Sequence, residues 1–300
     1  MRPPSPPDPA IISWSSLRRW ENCPHHQLRV IEHKTQRQEK GRIFLPGTLC
    51  DLTQRRWLDS PNPQPGEMTG MIDKIFDEIV ERGESKIHWK GNPTDDQQAV
   101  KAHCKKMVLR QEAWLLEHVI PYHYQAEVKF KAHMQVPYIC DDRQAPVTLI
   151  GGIDLVVQPP GGKFRLYDLK ITSDDGYIKS TLGQLTFYDL AWGIIQGDFY
   201  HADEWGFLTP GLSNITVPVT VSREDRQVML SRIIKYAQGV WSDSWAPKAS
   251  DTGCTWCEAR SVCDKFKVIA VVDENGKQRV SFAQAAAQKA AFRAAPLDRT

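Results

Sequence analysis

No stretch of the chain is apolar for the roughly 20 residues that crossing a bilayer requires, so a membrane span is excluded from the expected organisation. The opening Met-Arg-Pro-Pro-Ser-Pro-Pro also has none of the apolar run of a secretion signal, and a cytoplasmic setting is expected. Charge of one sign is scarce: 38 Lys and Arg against 36 Asp and Glu leave a formal net charge of +2. Any nucleic-acid contact must therefore come from local patches rather than a global basic field. The phosphate-cradling pattern GxxxxGK[ST] is missing, so the chain is not itself a helicase built on that loop, although it can work beside one. No internal repeat is apparent. Seven cysteines, an odd number in an apparently unsecreted chain, argue against a disulfide framework. What is present is ordinary globular material, 41% hydrophobic and with ten Trp, enough to build a core.

Residues 1–12 read as a disordered, Pro-rich arm. Ser13 to Asn22 predicts a short helix, with Trp14, Leu17 and Trp20 at helical spacing. Further helices are expected over 48–59, 69–82 and 94–119, an all-helical portion forming an insertion at about 52–120. After Pro121 the texture turns to strands: AEVKFKAHM alternates with period two, VTLIGGIDLVV follows, and PPGGK makes a turn into FRLYDLKI. A helix over 180–196, strands in EWGFLTP and ITVPVTV, and a helix over 223–241 come next. A cysteine cluster follows, and the chain ends with a hairpin around Glu274-Asn275-Gly276-Lys277 and an Ala-rich tail, these two over 269–300. The fold class is α/β: a small mixed sheet with a crossover helix, a helical N-terminal portion and a cysteine-bearing end.

The stretch GGIDLVVQPPGGKFRLYDLKIT, residues 151–172, carries the first sign of chemistry. Adjacent strands of a hairpin bring Asp154 and Asp168 within reach of one another, and alternation puts Lys170 on the face of Asp168. Two carboxylates that close repel unless a cation lies between them. A hard cation such as Mg²⁺ or Mn²⁺ takes oxygen ligands and keeps several waters, so two carboxylates and a backbone carbonyl, that of Leu169, suffice. Lys170 then orients or deprotonates an attacking water, or stabilises charge developing on a phosphoryl group. A solvated Asp/Lys pair at a strand edge fits the triplet as well. In the following helix Gln184 and Tyr188 are four residues apart and share a face. From there Gln184 can hydrogen-bond the site or a phosphate, and Tyr188 can position a nucleotide; a Gln on the surface and a Tyr in the core is the plainer alternative.

The order G-x-x-D, then D-x-K on a hairpin strand, then Q-x-x-x-Y on a helix resembles the RecB-like branch of the PD-(D/E)XK nucleases. That resemblance implies a restriction-endonuclease-like core and hydrolysis of DNA with Mg²⁺ or Mn²⁺. The family carries an earlier Gly-Thr-x-x-His helix whose histidine contacts the metal. Here Gly47-Thr48-Leu49-Cys50-Asp51 puts Asp51 in that place, a carboxylate equally suited to a hard cation. The implied metal ligands are thus Asp51, Asp154, Asp168 and the Leu169 carbonyl, with Lys170 catalytic and Gln184 and Tyr188 positioning the substrate.

The segment CTWCEARSVC sets Cys254, Cys257 and Cys263 so close that a fourth soft ligand is expected, because closed thiolate sites are usually four-coordinate. Cys50, Cys104 and Cys140 read as small apolar fillers. Cys23 lies at a helix end in Trp-Glu-Asn-Cys-Pro, a setting suited to a ligand. One cysteine before the nuclease motifs and a trio after them is similar to the iron–sulfur members of this branch, the AddB subunit and the CRISPR-associated RecB-like exonucleases. The resemblance implies a [4Fe–4S] cluster on Cys23, Cys254, Cys257 and Cys263 that staples both ends of a domain over 13–268. Zn²⁺ on the same four thiolates, or with His25 or His26 replacing Cys23, is the alternative.

Local basic groups for phosphate contact are Arg18, Arg19, Arg29, Arg55, Arg56, Lys101, Lys105, Lys106 and Arg110, with Trp14, Trp20 and Tyr188 as stacking candidates. The expected activity is metal-dependent cleavage of single-stranded DNA or DNA ends, as an exonuclease, in recombination, repair or replication, beside a helicase or recombination partner. Two rivals stand: a non-catalytic DNA-binding or scaffold subunit of a recombination complex, and a zinc-stapled protein whose D-x-K is fortuitous.

Overall fold

The structure, a computed structural model, describes residues 8–33, 45–83, 89, 92–138, 143–162, 164–172, 174–197, 202–246, 248, 257, 263, 270–272 and 278–280. Two compact units emerge. The first comprises residues 1–14 and 38–235, the second 15–37 and 236–300.

The first unit holds a six-stranded sheet. Its spine is β3 (Gln144–Gln158), with β2 (His123–Pro137) antiparallel along its full length. On the other edge β3 pairs β1 (Ala10–Ile12) in parallel and β4 (Arg165–Leu169) in antiparallel fashion. The sheet continues through β5 (Glu204–Leu208), parallel to β4, and β6 (Thr216–Val219), antiparallel to β5. The parallel β4–β5 step is made by a crossover helix, α6 (Asp175–Gln196). One expectation needs correction: residues 10–12, the end of the arm read as disordered, form strand β1, because Ala10 and Ile12 are buried while Ile11 faces out.

Helices α3 (Leu45–Leu58), α4 (Glu67–Gly83) and α5 (Pro93–His118) pack together and share a core with Leu155, Val157, Tyr167 and Leu208 of the sheet. The start of α5 follows from its sequence. The Asn92 side chain accepts the Thr94 N–H, Pro93 fits the first turn where no donor is needed, and Asp95 and Asp96 complement the helix dipole. Trp57 anchors this core at 0% exposure while its indole N–H donates to the Gln64 carbonyl, so the burial leaves no polar group unmet. The α6 helix is capped by the Asp174 side chain, which accepts the Gly176 N–H, and stops at Gly197 with φ 70°. Gly151 is required sterically: a Cβ there would lie 2.5 Å from the Phe130 ring. That ring reaches over to meet Tyr188 of α6 edge-on.

The second unit contains α1 (Trp14–Asn22) from Ser15 onward, α2 (Pro24–His33), the end of α7 (Arg223–Trp241) and a hairpin of β7 (Ala270–Val272) and β8 (Gln278–Val280). Helix α2 is absent from the sequence-based expectation, because its polar Pro-His-His-Gln start hides the periodicity. Trp20 packs edge-on against Tyr236, and Gly239 lets the indole approach its backbone. The residues joining β7 to β8, and the Ala-rich tail expected after them, lie outside the described residues. Among the described residues no helix is long and apolar enough to cross a membrane.

Candidate active site

The antiparallel register pairs Leu155 with Tyr167 and Val156 with Leu166. One further step sets Asp154 opposite Asp168 at the end of the hairpin. The Leu169 N–H donates to Asp154 Oδ2 at 2.7 Å, so this residue turns its polar edge toward β3 and away from β5. In an extended strand the carbonyl of a residue leaves on the same edge as its N–H. The next N–H, of Lys170, returns to β5 and donates to the Leu208 carbonyl at 2.9 Å. Strand β4 ends at Leu169, which leaves the Lys170 side chain to curl back onto Asp168. Its ammonium forms an ion pair with Asp168 Oδ2.

Helix α6 approaches the same end. Gln184 Nε2 donates to Asp168 Oδ1 at 2.9 Å and to the Tyr188 hydroxyl at 2.7 Å. Both protons of the amide are thereby used, and Asp168 is held on one side by an amide and on the other by an ammonium. Tyr188 is buried, stacked edge-on against Phe130. In this arrangement Gln184 and Tyr188 act on Asp168 rather than reaching into open space.

Charge in this cluster is out of balance. Burial, then the neighbouring Asp168 charge, pushes Asp154 up to about 7; the Leu169 N–H and Lys170 pull it the other way, and Asp51 adds to the rise. Asp168 is also raised, by burial first, with Lys170 opposing and Asp51 adding. Burial alone would push the Lys170 ammonium down, but Asp168 and Asp154 more than offset this and leave it above its ordinary value. The Tyr188 phenol is raised by burial and by Asp168. Two carboxylates thus share one ammonium, with the charge of Asp51 adding to the rise of both.

Asp51 sits on α3 and is committed elsewhere. Arg55, one turn on, donates from Nε to Asp51 Oδ1 at 3.1 Å and closes a second, shorter contact from Nη2 to Oδ2. The same guanidinium pairs Glu127 of β2 through Nη1 at 2.5 Å. Glu127 carries φ 49°, a left-handed backbone inside a strand. Its neighbours Ala126 and Val128 pair Leu155 and Ile153, so it stands across from Asp154. Sequence reasoning missed Glu127, because AEVKFKAHM reads as an ordinary alternating strand and a left-handed φ at Glu leaves no mark in it.

Among the described residues no three His, Cys, Asp or Glu side chains are grouped closely enough to hold a metal ion. The donors that do converge are two carboxylates and the polar edge of Leu169. That set fits a hard cation which keeps most of its waters, and such a cation would favour the charged form of Asp154 and Asp168, which burial first and then their acidic neighbours now disfavour. Asp51 fits only as a ligand released from Arg55.

Most of the expected phosphate contacts are occupied. Lys101 pairs Asp77 at 2.7 Å and Lys105 pairs Asp73 at 2.6 Å, both across α4. Arg110 donates to the carbonyls of Pro210, Leu212 and Ser213, and Arg56 grips Glu78. Arg19 donates to Gln27, and Arg29 to Glu32. The stacking candidates are committed to packing: Trp14 against Phe187, Trp20 against Tyr236, Tyr188 against Phe130.

Of the four cysteines singled out as ligands, Cys254 lies outside the described residues. Cys23, Cys257 and Cys263 belong to the second unit, where the Cys23 sulfur accepts the Lys248 N–H at 3.3 Å. Cys50 and Cys104 are wholly buried beside one another, as fillers should be, and Cys140 lies outside the described residues.

A small mixed sheet with opposed carboxylates and a lysine at a hairpin end, closed by a Gln/Tyr helix, defines a class: hydrolases of phosphodiesters. The sequence profile of the PD-(D/E)XK nuclease superfamily matches residues 11–264, and the chain belongs to that superfamily. No curated protein matches it. Among solved structures it is similar to SSO0001, at 12% identity and a TM-score of 0.34 over 80% of this chain and 94% of that one. It is also similar to a protein of Eubacterium rectale provisionally named an exonuclease, at 13% identity and a TM-score of 0.49 over 92% and 93%. Nucleases of this superfamily act on DNA and generally use divalent metals such as Mg²⁺ or Mn²⁺.

Proposed function

We propose that the protein cleaves DNA as an exonuclease, on single strands or free ends, with Mg²⁺ or Mn²⁺ at Asp154, Asp168 and the Leu169 carbonyl, and Asp51 as a further ligand. The observation that carries this reading is the surplus of negative charge at the hairpin end. Asp154, half-buried, stands across the hairpin from buried Asp168, and Lys170 pairs with Asp168. When bound, the cation supplies Lewis-acid stabilisation of the phosphoryl oxygens and eases deprotonation of the attacking water. Lys170, kept charged by its carboxylate neighbours, donates hydrogen bonds to charge growing on the scissile phosphate. Gln184 locks the Asp168 carboxylate in orientation, and Tyr188 locks Gln184, so the pair positions the substrate through Asp168.

The second unit supports a RecB-like assignment with a [4Fe–4S] cluster on Cys23, Cys254, Cys257 and Cys263. Cys23 and, far along the chain, Cys257 and Cys263 belong to that one unit, and a backbone N–H donated to the Cys23 sulfur is the kind of contact that steadies a thiolate ligand. Its role is a staple: closing so long a loop removes much unfolded-state freedom. A helicase or recombination partner is part of the same reading.

The deciding assay incubates labelled single- and double-stranded DNA with protein and Mn²⁺ or Mg²⁺, comparing wild type with Lys170→Ala. Wild type should shorten single strands from an end, while the variant binds DNA and leaves it whole. Equal cleavage by both would remove Lys170 from the chemistry. Anaerobically purified protein should be brown with visible absorption; colourless protein holding zinc would replace the cluster with a zinc staple.

A further inference from the structure

The guanidinium of Arg55 is shared between Asp51 of its own helix and Glu127 of β2. Both oxygens of Asp51 are covered by it, through Nε and Nη2. A carboxylate so engaged is a poor ligand for a divalent cation, since the cation and the guanidinium compete for the same oxygens and repel each other. Yet Asp51 lies close enough for its charge to bear on both Asp154 and Asp168. The guanidinium keeps a second anchor that does not depend on Asp51. Glu127 meets Nη1 at 2.5 Å from a left-handed backbone position that a β-strand would not adopt unless something held it there. Among the described residues Glu127 has one other cationic neighbour, Lys129 at 3.7 Å, whose side chain is 79% exposed.

Resting on the proposed reading of Asp51, we infer that Arg55 is an exchangeable counter-ion: it holds Asp51 before the metal arrives, then, tethered by Glu127, turns to a phosphate of the DNA strand. Metal entry replaces a single positive charge on Asp51 by a double one, which also meets the surplus carried by Asp154 and Asp168. The guanidinium set loose is a planar fork that matches phosphate oxygens in pairs. Charge balance thereby couples metal loading to grip on the substrate, and Glu127 keeps the fork from swinging away.

Titration calorimetry with MnCl₂ and no DNA tests the first half. Arg55→Ala should bind Mn²⁺ about three- to tenfold more tightly than wild type, because a competing cation is gone. Glu127→Gln should bind it several-fold more weakly, because Arg55 then has only Asp51 to hold. Anisotropy of a labelled single strand with Mn²⁺, in a Lys170→Ala background, tests the second half. Adding Arg55→Ala should weaken DNA binding about tenfold and lower the slope of log affinity against log salt by roughly one phosphate contact. Arg55→Lys, which keeps the charge without the fork, should fall between on both measurements and guards against a misfolded alanine variant. If Arg55→Ala weakens Mn²⁺ and DNA alike, the arginine merely holds Asp51 in place and the inference is overturned. If Asp51→Asn leaves Mn²⁺ affinity unchanged, the assignment of Asp51 as a ligand fails first, and the inference with it.

Discussion

Asp168 and Asp189 are both buried, at 2% and 0% exposure, and both belong to the elements that build the crossover from β4 to β5. Asp189 accepts the Trp205 indole N–H at 2.8 Å on one oxygen and the Arg226 guanidinium at 2.5 Å on the other. Among the described residues, one anion there meets one cation. Asp168 also has an amide and a cation, Gln184 and Lys170, but it shares that cation with Asp154 and feels Asp51 besides. Burial of a carboxylate is therefore no mark of function in this fold. The mark is negative charge left over after every nearby cation has been counted, a state that a structural ion pair has no reason to tolerate.

Substitutions should separate the two sites most sharply. Asp168→Asn is expected to lower single-turnover cleavage by about 10²–10³-fold or more while leaving the denaturation midpoint unchanged or higher, because a repelling charge has gone. Asp189→Asn should do the reverse. It strands Arg226 beside a neutral amide and costs about 3–5 kcal/mol of stability, with cleavage per folded molecule within a few-fold of wild type. Urea unfolding and pre-steady-state cleavage measure both. Comparable loss of stability in the two variants would mean that Asp168 is a structural pair as well.

The pH dependence of stability gives a smaller but distinctive effect. Asp154 titrates at about 7 in the folded chain against an ordinary 3.8. The folded state thus prefers the protonated carboxyl. The stabilising contribution is complete below about pH 4, where both states are protonated, and is lost as pH rises through about 7. Metal-free protein should therefore melt at lower temperature at about pH 8 than at about pH 5, and Asp154→Asn should flatten that difference. Mn²⁺ should restore wild type chiefly on the alkaline side, since it binds the carboxylate and has little to offer the acid form. Wild type and Asp154→Asn with parallel profiles would take Asp154 out of the surplus.

Much of this site was legible in the chain because its parts obey short-range rules. The Pro-Gly-Gly turn fixes the hairpin, the hairpin sets Asp154 across from Asp168, and a four-residue interval puts Gln184 and Tyr188 on one face. Helices α5 and α7 were legible for the same reason, through capping and periodicity. What escaped depends on partners distant in sequence. Nothing within AEVKFKAHM says that Glu127 meets an arginine seventy-two positions earlier, or that its backbone is left-handed. Strand β1 was hidden behind prolines, because its burial is conferred by β3 rather than by its own three residues. Gln184 was singled out by its helical spacing to Tyr188, yet its two hydrogen bonds, to Asp168 and Tyr188, could only be counted once α6 was docked.

The smallest effect expected belongs to a third arrangement of charge, on the helical face opposite in character to the hairpin end. Lys101 and Lys105 line up at helical spacing and invite a reading as a phosphate-binding stripe. Each instead meets a carboxylate of α4, Asp77 or Asp73, and Lys101 also covers the Phe76 ring at 4.6 Å. These are exposed pairs, with Asp73 and Asp77 side chains 52% and 60% accessible, where water screens most of the attraction. A stripe whose cations are matched one for one has little field left to offer DNA. The double variant Lys101→Ala/Lys105→Ala should shift stability by less than about 1 kcal/mol and leave the salt dependence of DNA binding where it was. A fall of about two in the slope of log affinity against log salt would show that both lysines abandon α4 for phosphate. The balance that distinguishes Asp189 from Asp168 would then fail as a guide at the protein surface, while holding in its interior.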